Sequence, residues 1–120
     1  MVLNTAHKPR ILLIVDIPEW AFHTLARATA RYLSDAYDFD IVVGSELTHL
    51  DDAQYDLIHV FYEKEQHHLP FLRGNTRILK SVYSHYWQEE GMSAREFYNA
   101  YLREAHAISV PNPLLFSALR

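Results

Sequence analysis

The chain of 120 residues contains no cysteine. That absence removes thiol nucleophiles, zinc–thiolate centres, iron–sulfur clusters and disulfide frameworks together, and it is compatible with a reducing compartment. Glycine is nearly as scarce, with three in the whole chain and none between Arg10 and Val43. Phosphate binding after a first strand needs glycines there, so that backbone N–H groups can approach the ligand. Their lack excludes a P-loop or dinucleotide fingerprint, and no cofactor is expected. No apolar run approaches the ~20 residues of a membrane span, and Met1 to Arg10 lack the long apolar stretch of a secretory leader. The expected location is the cytoplasm, with no membrane span. Eleven Lys and Arg stand against fifteen Asp and Glu, a net charge of −4, and the basic residues are scattered. Nucleic acid, which requires a basic stripe, is not an expected partner.

Metal and nucleophile signals are equally thin. The adjacent His67 and His68 diverge by about 100° on a helix and roughly 180° on a strand, so one ion does not easily reach both, and no third ligand accompanies them. No metal is expected. A Gly-x-Ser-x-Gly nucleophile elbow is missing, which disfavours a small hydrolase.

What the chain does contain is a composition of 49% hydrophobic and 22% charged residues, without repeats or linkers. That describes a single globular domain over 1–120, able to bury roughly two-thirds of its unfolded surface. Arg10 to Asp16 is a continuous branched-apolar run, as expected for a strand covered on both faces. Pro18 and Glu19 suit the first turn of a helix. Phe22, Leu25, Ala26, Thr29, Leu33 and Ala36 then recur at helical spacing, with His23, Arg27, Arg31 and Asp35 on a solvated side. Phe39–Val43, Leu57–Phe61, Ile78–Tyr83 and Ala107–Val110 read as four further strands. Ser93 and Glu96 match a capping box, with Phe97, Tyr101, Leu102 and Ala105 as the apolar side of the helix they open. Asn112-Pro113 caps a last helix, whose Leu114, Leu115, Phe116 and Leu119 need partners.

Alternation of strands and helices predicts an α/β fold: a three-layer, Rossmann-like sandwich around a mainly parallel sheet of about five strands. The expected order is 3-2-1-4-5. Its crevice lies at the carboxyl ends of strands one and four, lined by Asp16, Ile17, Pro18, Glu19 and Trp20 and by Ser84, His85, Tyr86 and Trp87, with Asn112 nearby. In the flavodoxin-like order 2-1-3-4-5 the crevice instead involves Phe61, Tyr62, Glu63 and Lys64. A phosphate-accepting receiver domain of that order needs Asp and Lys where Phe61 and Val110-Pro111 stand.

Tyr83 to Trp87 places one titratable ring among flat aromatic faces, a surface that buries the C–H side of a sugar while polar groups bind its hydroxyls. Packing beneath helices is the plainer reading for the aromatics. His85 is the expected catalytic residue; Asp16, Pro18, Glu19, Trp20, Ser84, Tyr86, Trp87 and Asn112 are the expected substrate contacts. Asp16 serves either as a general base or as a helix cap. His59, alternating within a strand, reads as a hydrogen-bonded core histidine. The pairs Asp51-Asp52 and Glu89-Glu90 read as solvated.

Ile11-Leu12-Leu13-Ile14-Val15-Asp16, Pro18, Trp20-Ala21-Phe22, Ala26 and Leu33, then Ser81-Val82-Tyr83-Ser84-His85 and Ala107-Ile108-Ser109-Val110-Pro111-Asn112, together resemble the N-terminal domain of GT-B glycosyltransferases, of the kind often labelled group 1 or family four. The resemblance spans nearly the whole chain. Pro18-Glu19-Trp20 stands where many relatives carry a Gly-Gly pair. The resemblance implies an acceptor-side domain that faces a C-terminal, nucleotide-sugar-binding domain not present in these residues. It implies that His85 reaches the donor sugar or the acceptor across the cleft, and that residues Ile17 to Phe22 contact acceptor or donor phosphates. The expected partners are a sugar acceptor and, with that second domain, a nucleotide-sugar donor; self-association through an exposed last helix is a further expectation. The rival expectation is a non-catalytic flavodoxin-like binding or interaction module.

Overall fold

The computed structural model describes residues 7–74 and 76–119; the first six residues of the segment read for a leader lie outside them. In chain order the elements are β1 (Arg10–Val15), α1 (Ala21–Tyr32), β2 (Asp38–Val43), β3 (Leu57–Val60), β4 (Arg77–Ser81), α2 (Tyr86–Glu89), α3 (Ala94–Phe97), β5 (Ala107–Ser109) and α4 (Pro113–Leu119). All five expected strands are present, with bounds within two residues of those read from the sequence. Every neighbouring pair is parallel.

The strand order is β2-β1-β3-β4-β5, which corrects the expected 3-2-1-4-5. The physical reason lies in β2 and β3. Exposed Asp38 and Asp40 flank half-buried Phe39 in β2, a pattern suited to a sheet edge, where charges also discourage further pairing. In β3, Ile58 and Val60 have no exposed surface, and the strand is hydrogen-bonded on both sides, to β1 and β4. The expected order would have placed these two strands the other way round.

β1 lies between β2 and β3, with Leu13, Ile14 and Val15 essentially inaccessible; each such side chain contributes about 1.5–3 kcal/mol by burial. One face of the sheet packs Ile11, Leu13, Val15 and Phe61 against Ala26 of α1. The opposite face buries Leu12, Ile14, Ile58, Val60 and Ile78 with Leu50 of the β2–β3 connection. A third cluster, Val82, Trp87, Phe97, Leu102 and Leu115, joins the end of β4 to α2, α3 and α4.

Helix α1 begins at Ala21, later than the expected Pro18. Glu19 adopts φ 66°, outside helical space, and Trp20 is the extended N-cap residue. His23 and Arg27, read as solvated, clamp this turn: Glu19 N–H donates to His23 Nδ1 at 3.0 Å, and Arg27 grips both Glu19 oxygens at 2.7 and 2.6 Å. The capping box is complete, with Glu96 N–H donating to Ser93 Oγ at 3.1 Å and Ser93 N–H to Glu96 Oε1 at 2.9 Å. The helix continues beyond α3 as a π-helical turn, Tyr98–Leu102. In α4, Leu115 is buried, while Leu114 and Phe116 remain 74% and 55% exposed. Among the described residues no helix is long and apolar enough to cross a membrane.

Candidate functional site

Because the strands are all parallel, their carboxyl ends share one edge. The chain leaves β1 toward β2 on one side and meets β3 on the other, so the switch point opens between β1 and β3. The observed order therefore moves the crevice away from the β1/β4 boundary and into the loop beginning Phe61-Tyr62-Glu63-Lys64. Aromatic rings join the segments around it: Phe22 lies 6.1 Å from Tyr62 and 5.1 Å from Tyr83, centroid to centroid. The segments after β1 and β4 do lie on one edge of the sheet, linked through Phe22 and Tyr83, with the loop after β3 between them.

Asp16 sits just past β1 and caps nothing. Its Oδ1 is enclosed without a hydrogen-bond partner, an acceptor that calls for a donor from outside. The N-terminus of α1 beside it has no side-chain cap and no acidic residue in its first turn, so its first N–H groups are also open. Glu63 is buried. Burial pushes its carboxyl above the ordinary range and the Asp16 charge adds to this, against the Glu63 backbone N–H and the charges of Lys64 and Lys80. The Tyr62 phenol is raised for kindred reasons, burial first and then Glu63. Donors, acceptors and ring faces thus meet at one place.

Other expected contacts fare differently. Trp20 and Tyr86 are 66% and 65% exposed, and Pro18 and Glu19 are also at the surface. Ser84 and His85 are half-buried. His85 Nδ1 lies 2.7 Å from Gln88 Oε1; an amide oxygen only accepts, so Nδ1 carries the hydrogen and Nε2 is left open. Trp87 is corrected from contact to core, because it is buried and stacks on Phe97 at 5.0 Å with the rings 5° apart. Asn112 is occupied as a cap, its Oδ1 accepting from Leu115 N–H at 2.8 Å.

His59 is the core histidine the alternation implies. Its Nε2 meets Ser81 Oγ at 2.8 Å, Ser81 Oγ meets Ser109 Oγ at 2.6 Å, and burial pushes the imidazole down to about 4. Asp52, read as solvated, is fully buried: its Oδ2 accepts from Arg73 N–H at 2.9 Å and its carbonyl from the Thr76 hydroxyl. Among the described residues no group of three or more His, Asp or Glu side chains is placed to hold a metal ion.

Tyr62 and Glu63 were visible in the sequence only through the flavodoxin-like order, and Phe22 read as a core position of α1. Their meeting depends on which strand lies beside β1. No family model, no curated protein and no solved structure matches this chain.

Proposed function

We propose that this chain is the N-terminal, acceptor-side domain of a nucleotide-sugar-dependent glycosyltransferase acting in polysaccharide or glycan biosynthesis. The observation that carries the reading is the set of exposed aromatic faces at Trp20, Tyr83 and Tyr86, in the segments that follow β1 and β4, together with Asp16 at the end of β1, whose Oδ1 lacks a donor. Pyranose rings present apolar C–H faces to aromatic rings and hydroxyls that both donate and accept, which matches this mixture. The resemblance of the strand-end segments to GT-B N-terminal domains supports the same reading. A further domain then carries the donor, and the 120 residues alone do not turn over. Their contribution is to orient the acceptor hydroxyl and surround the charge that develops as the diphosphate departs, with the open Nε2 of His85 on the sugar.

The test is titration of the isotope-labelled chain with methyl glycosides and nucleotide sugars. Shifts gathered at Trp20, Tyr62, Tyr83 and His85 support the reading, and a panel that moves none of them overturns it. The second reading, a non-catalytic flavodoxin-like binding module, draws on the strand order 2-1-3-4-5. It predicts no response to sugars at this rim.

A further inference from the structure

Asp16 and Glu63 carry carboxylates that the fold leaves without a counter-charge. Phe61 N–H donates to the Ile14 carbonyl at 3.0 Å, which continues the β1–β3 register past Ile14↔Val60. Asp16 and Tyr62, each two residues farther on, therefore leave the sheet side by side, and Glu63 follows at once. Asp16 Oδ1 is enclosed without a partner. Glu63 is 3% exposed, and the donor at its carboxylate is its own backbone N–H. Among the described residues neither acid enters a salt bridge. The two lysines whose charge reaches Glu63 are committed elsewhere: Lys64 Nζ donates to Glu90 at 2.9 Å, and Lys80 Nζ to Glu104 and to the Tyr101 carbonyl, each at 2.7 Å. Burial chiefly, and the Asp16 charge in addition, push both the Glu63 carboxyl and the Tyr62 phenol upward. Buried carboxylates are ordinarily paired, so these two call for a cation from outside.

Aromatic rings complete the surroundings. Phe22 lies against both Tyr62 and Tyr83, at 6.1 and 5.1 Å between centroids, and Tyr83 is 38% exposed, so the group opens to solvent. Ring faces attract a cation, and a primary ammonium also brings three N–H donors for carboxylate oxygens. A metal ion suits the place less well, because among the described residues no third His, Asp or Glu joins the pair as a ligand.

We propose that the Asp16 and Glu63 carboxylates, with the Phe22, Tyr62 and Tyr83 rings, form a site for a primary ammonium group, and that the ligand bearing it is an amino sugar whose amine is free. That the amine is carried on a sugar rests on the function proposed above; the ammonium site stands on the contacts alone. The carboxylates take the N–H donors and balance the charge, while the rings cover the adjoining C–H groups. An acetylated amine, which is neutral and has one N–H, satisfies neither demand.

The test titrates the full isotope-labelled chain at neutral pH with methyl 6-amino-6-deoxyglucoside, its N-acetyl derivative, methyl glucoside, cyclohexylamine and calcium chloride. The readouts are the carboxyl carbons of Asp16 and Glu63 and the ring resonances of Phe22, Tyr62 and Tyr83. The expected result is that the free amino sugar shifts all five residues and binds about ten- to hundredfold more tightly than the acetylated sugar or methyl glucoside. Asp16→Asn and Glu63→Gln, with the far-UV spectrum of the parent chain, abolish that preference. The acetylated ligand tests the same charge with the protein unaltered, so the outcome does not depend on either variant folding. Equal binding of the amino, acetylated and plain glucosides overturns the ammonium site alone and leaves the acceptor reading standing. Shifts with cyclohexylamine but with no glycoside overturn the acceptor reading and keep the ammonium site. Calcium that moves the two carboxyl carbons while the amines do not makes this a metal site and overturns the proposal. A panel that moves no residue overturns both readings.

Discussion

Lys80 and Glu104 are bound as an ion pair, Nζ to Oε1 at 2.7 Å, where the Lys80 side chain has no exposed surface. Lys80 also donates to the Tyr101 carbonyl at 2.7 Å, and His68 Nε2 stands 3.5 Å from the same carboxylate. Burial pushes the Glu104 carboxyl up, but His68 and Lys80 together outweigh it and hold the group at about 2. Burial pushes the Lys80 ammonium down, so desolvation of the lysine offsets part of the gain. Glu104→Ala leaves a buried ammonium unpaired and is expected to cost about 3–5 kcal/mol in urea denaturation at pH 7, while Lys80→Met with Glu104→Leu recovers most of the loss. A depressed carboxyl stabilises the fold above the ordinary 4.5 and loses that contribution as pH falls toward about 2. The acid limb of the stability curve should be shallower in Glu104→Ala.

His59 governs the next window up. Its imidazole is held at about 4 against an ordinary 6.5, so the unfolded chain binds the proton first. Stability is full above 6.5 and falls as pH drops toward 4, by about 3 kcal/mol over the whole interval. His59→Gln is expected to flatten the curve between those limits, measured by urea melts at half-unit steps. An unchanged slope would show that His59 is not the titrating group.

Gly44 and Glu65 compete for one space. Gly44→Ala is expected to destabilise by about 1–3 kcal/mol through overpacking. In the double variant with Glu65→Ala the two effects should add to less than their sum, because the second truncation removes the atoms the new methyl meets. Strict additivity in a double-mutant cycle would contradict the contact.

Burial raises the Glu63 carboxyl, with Asp16 adding to the shift. A raised carboxyl contributes stability that is full at low pH and lost as pH climbs through its folded value. Glu63→Gln is therefore expected to gain on the parent chain more at pH 8 than at pH 4.5 in thermal melts. A gap that does not widen with pH would place the charge elsewhere.

The rim and the core make opposite demands of their aromatics. Trp20→Ala and Tyr83→Ala should each weaken methyl glycoside binding about three- to tenfold, the equivalent of roughly 0.5–1.5 kcal/mol, with little change in melting temperature. Trp87→Ala, stripped from its stack on Phe97, should cost about 3–5 kcal/mol of stability. Calorimetry and melting of the three variants separate the two roles.

Much of this architecture is legible in one dimension. The branched-apolar run at Ile11 to Val15 announces a strand covered on both faces, and Ser93 with Glu96 announces a helix start, because both depend on neighbours within a few residues. Helix α1 was legible in its periodicity but misjudged at its start, since the positive φ of Glu19 is secured by Arg27 two turns later. The candidate site was half legible. Asp16, Trp20 and His85 stand at strand ends that the sequence marks, whereas Tyr62 and Glu63 join them only when β3 lies beside β1. Trp87 was open to both readings, contact or packing beneath the helices, and Asp52 carried no mark of its burial, because a tryptophan near a crevice and an aspartate in a polar connection look alike whether solvent or protein covers them.

The amino-acid sequence by itself determined five parallel-sheet strands, the α/β class and the exclusion of thiol chemistry, all of which follow from residue type and short-range periodicity. Tertiary structure alone decided that β3 rather than β4 neighbours β1, that Glu65 reaches Gly44 and thereby orients His67, and that Lys80 meets Glu104 inside the protein. Those are contacts between distant segments, set by how edge and interior strands share out water and apolar surface, and no local pattern records them.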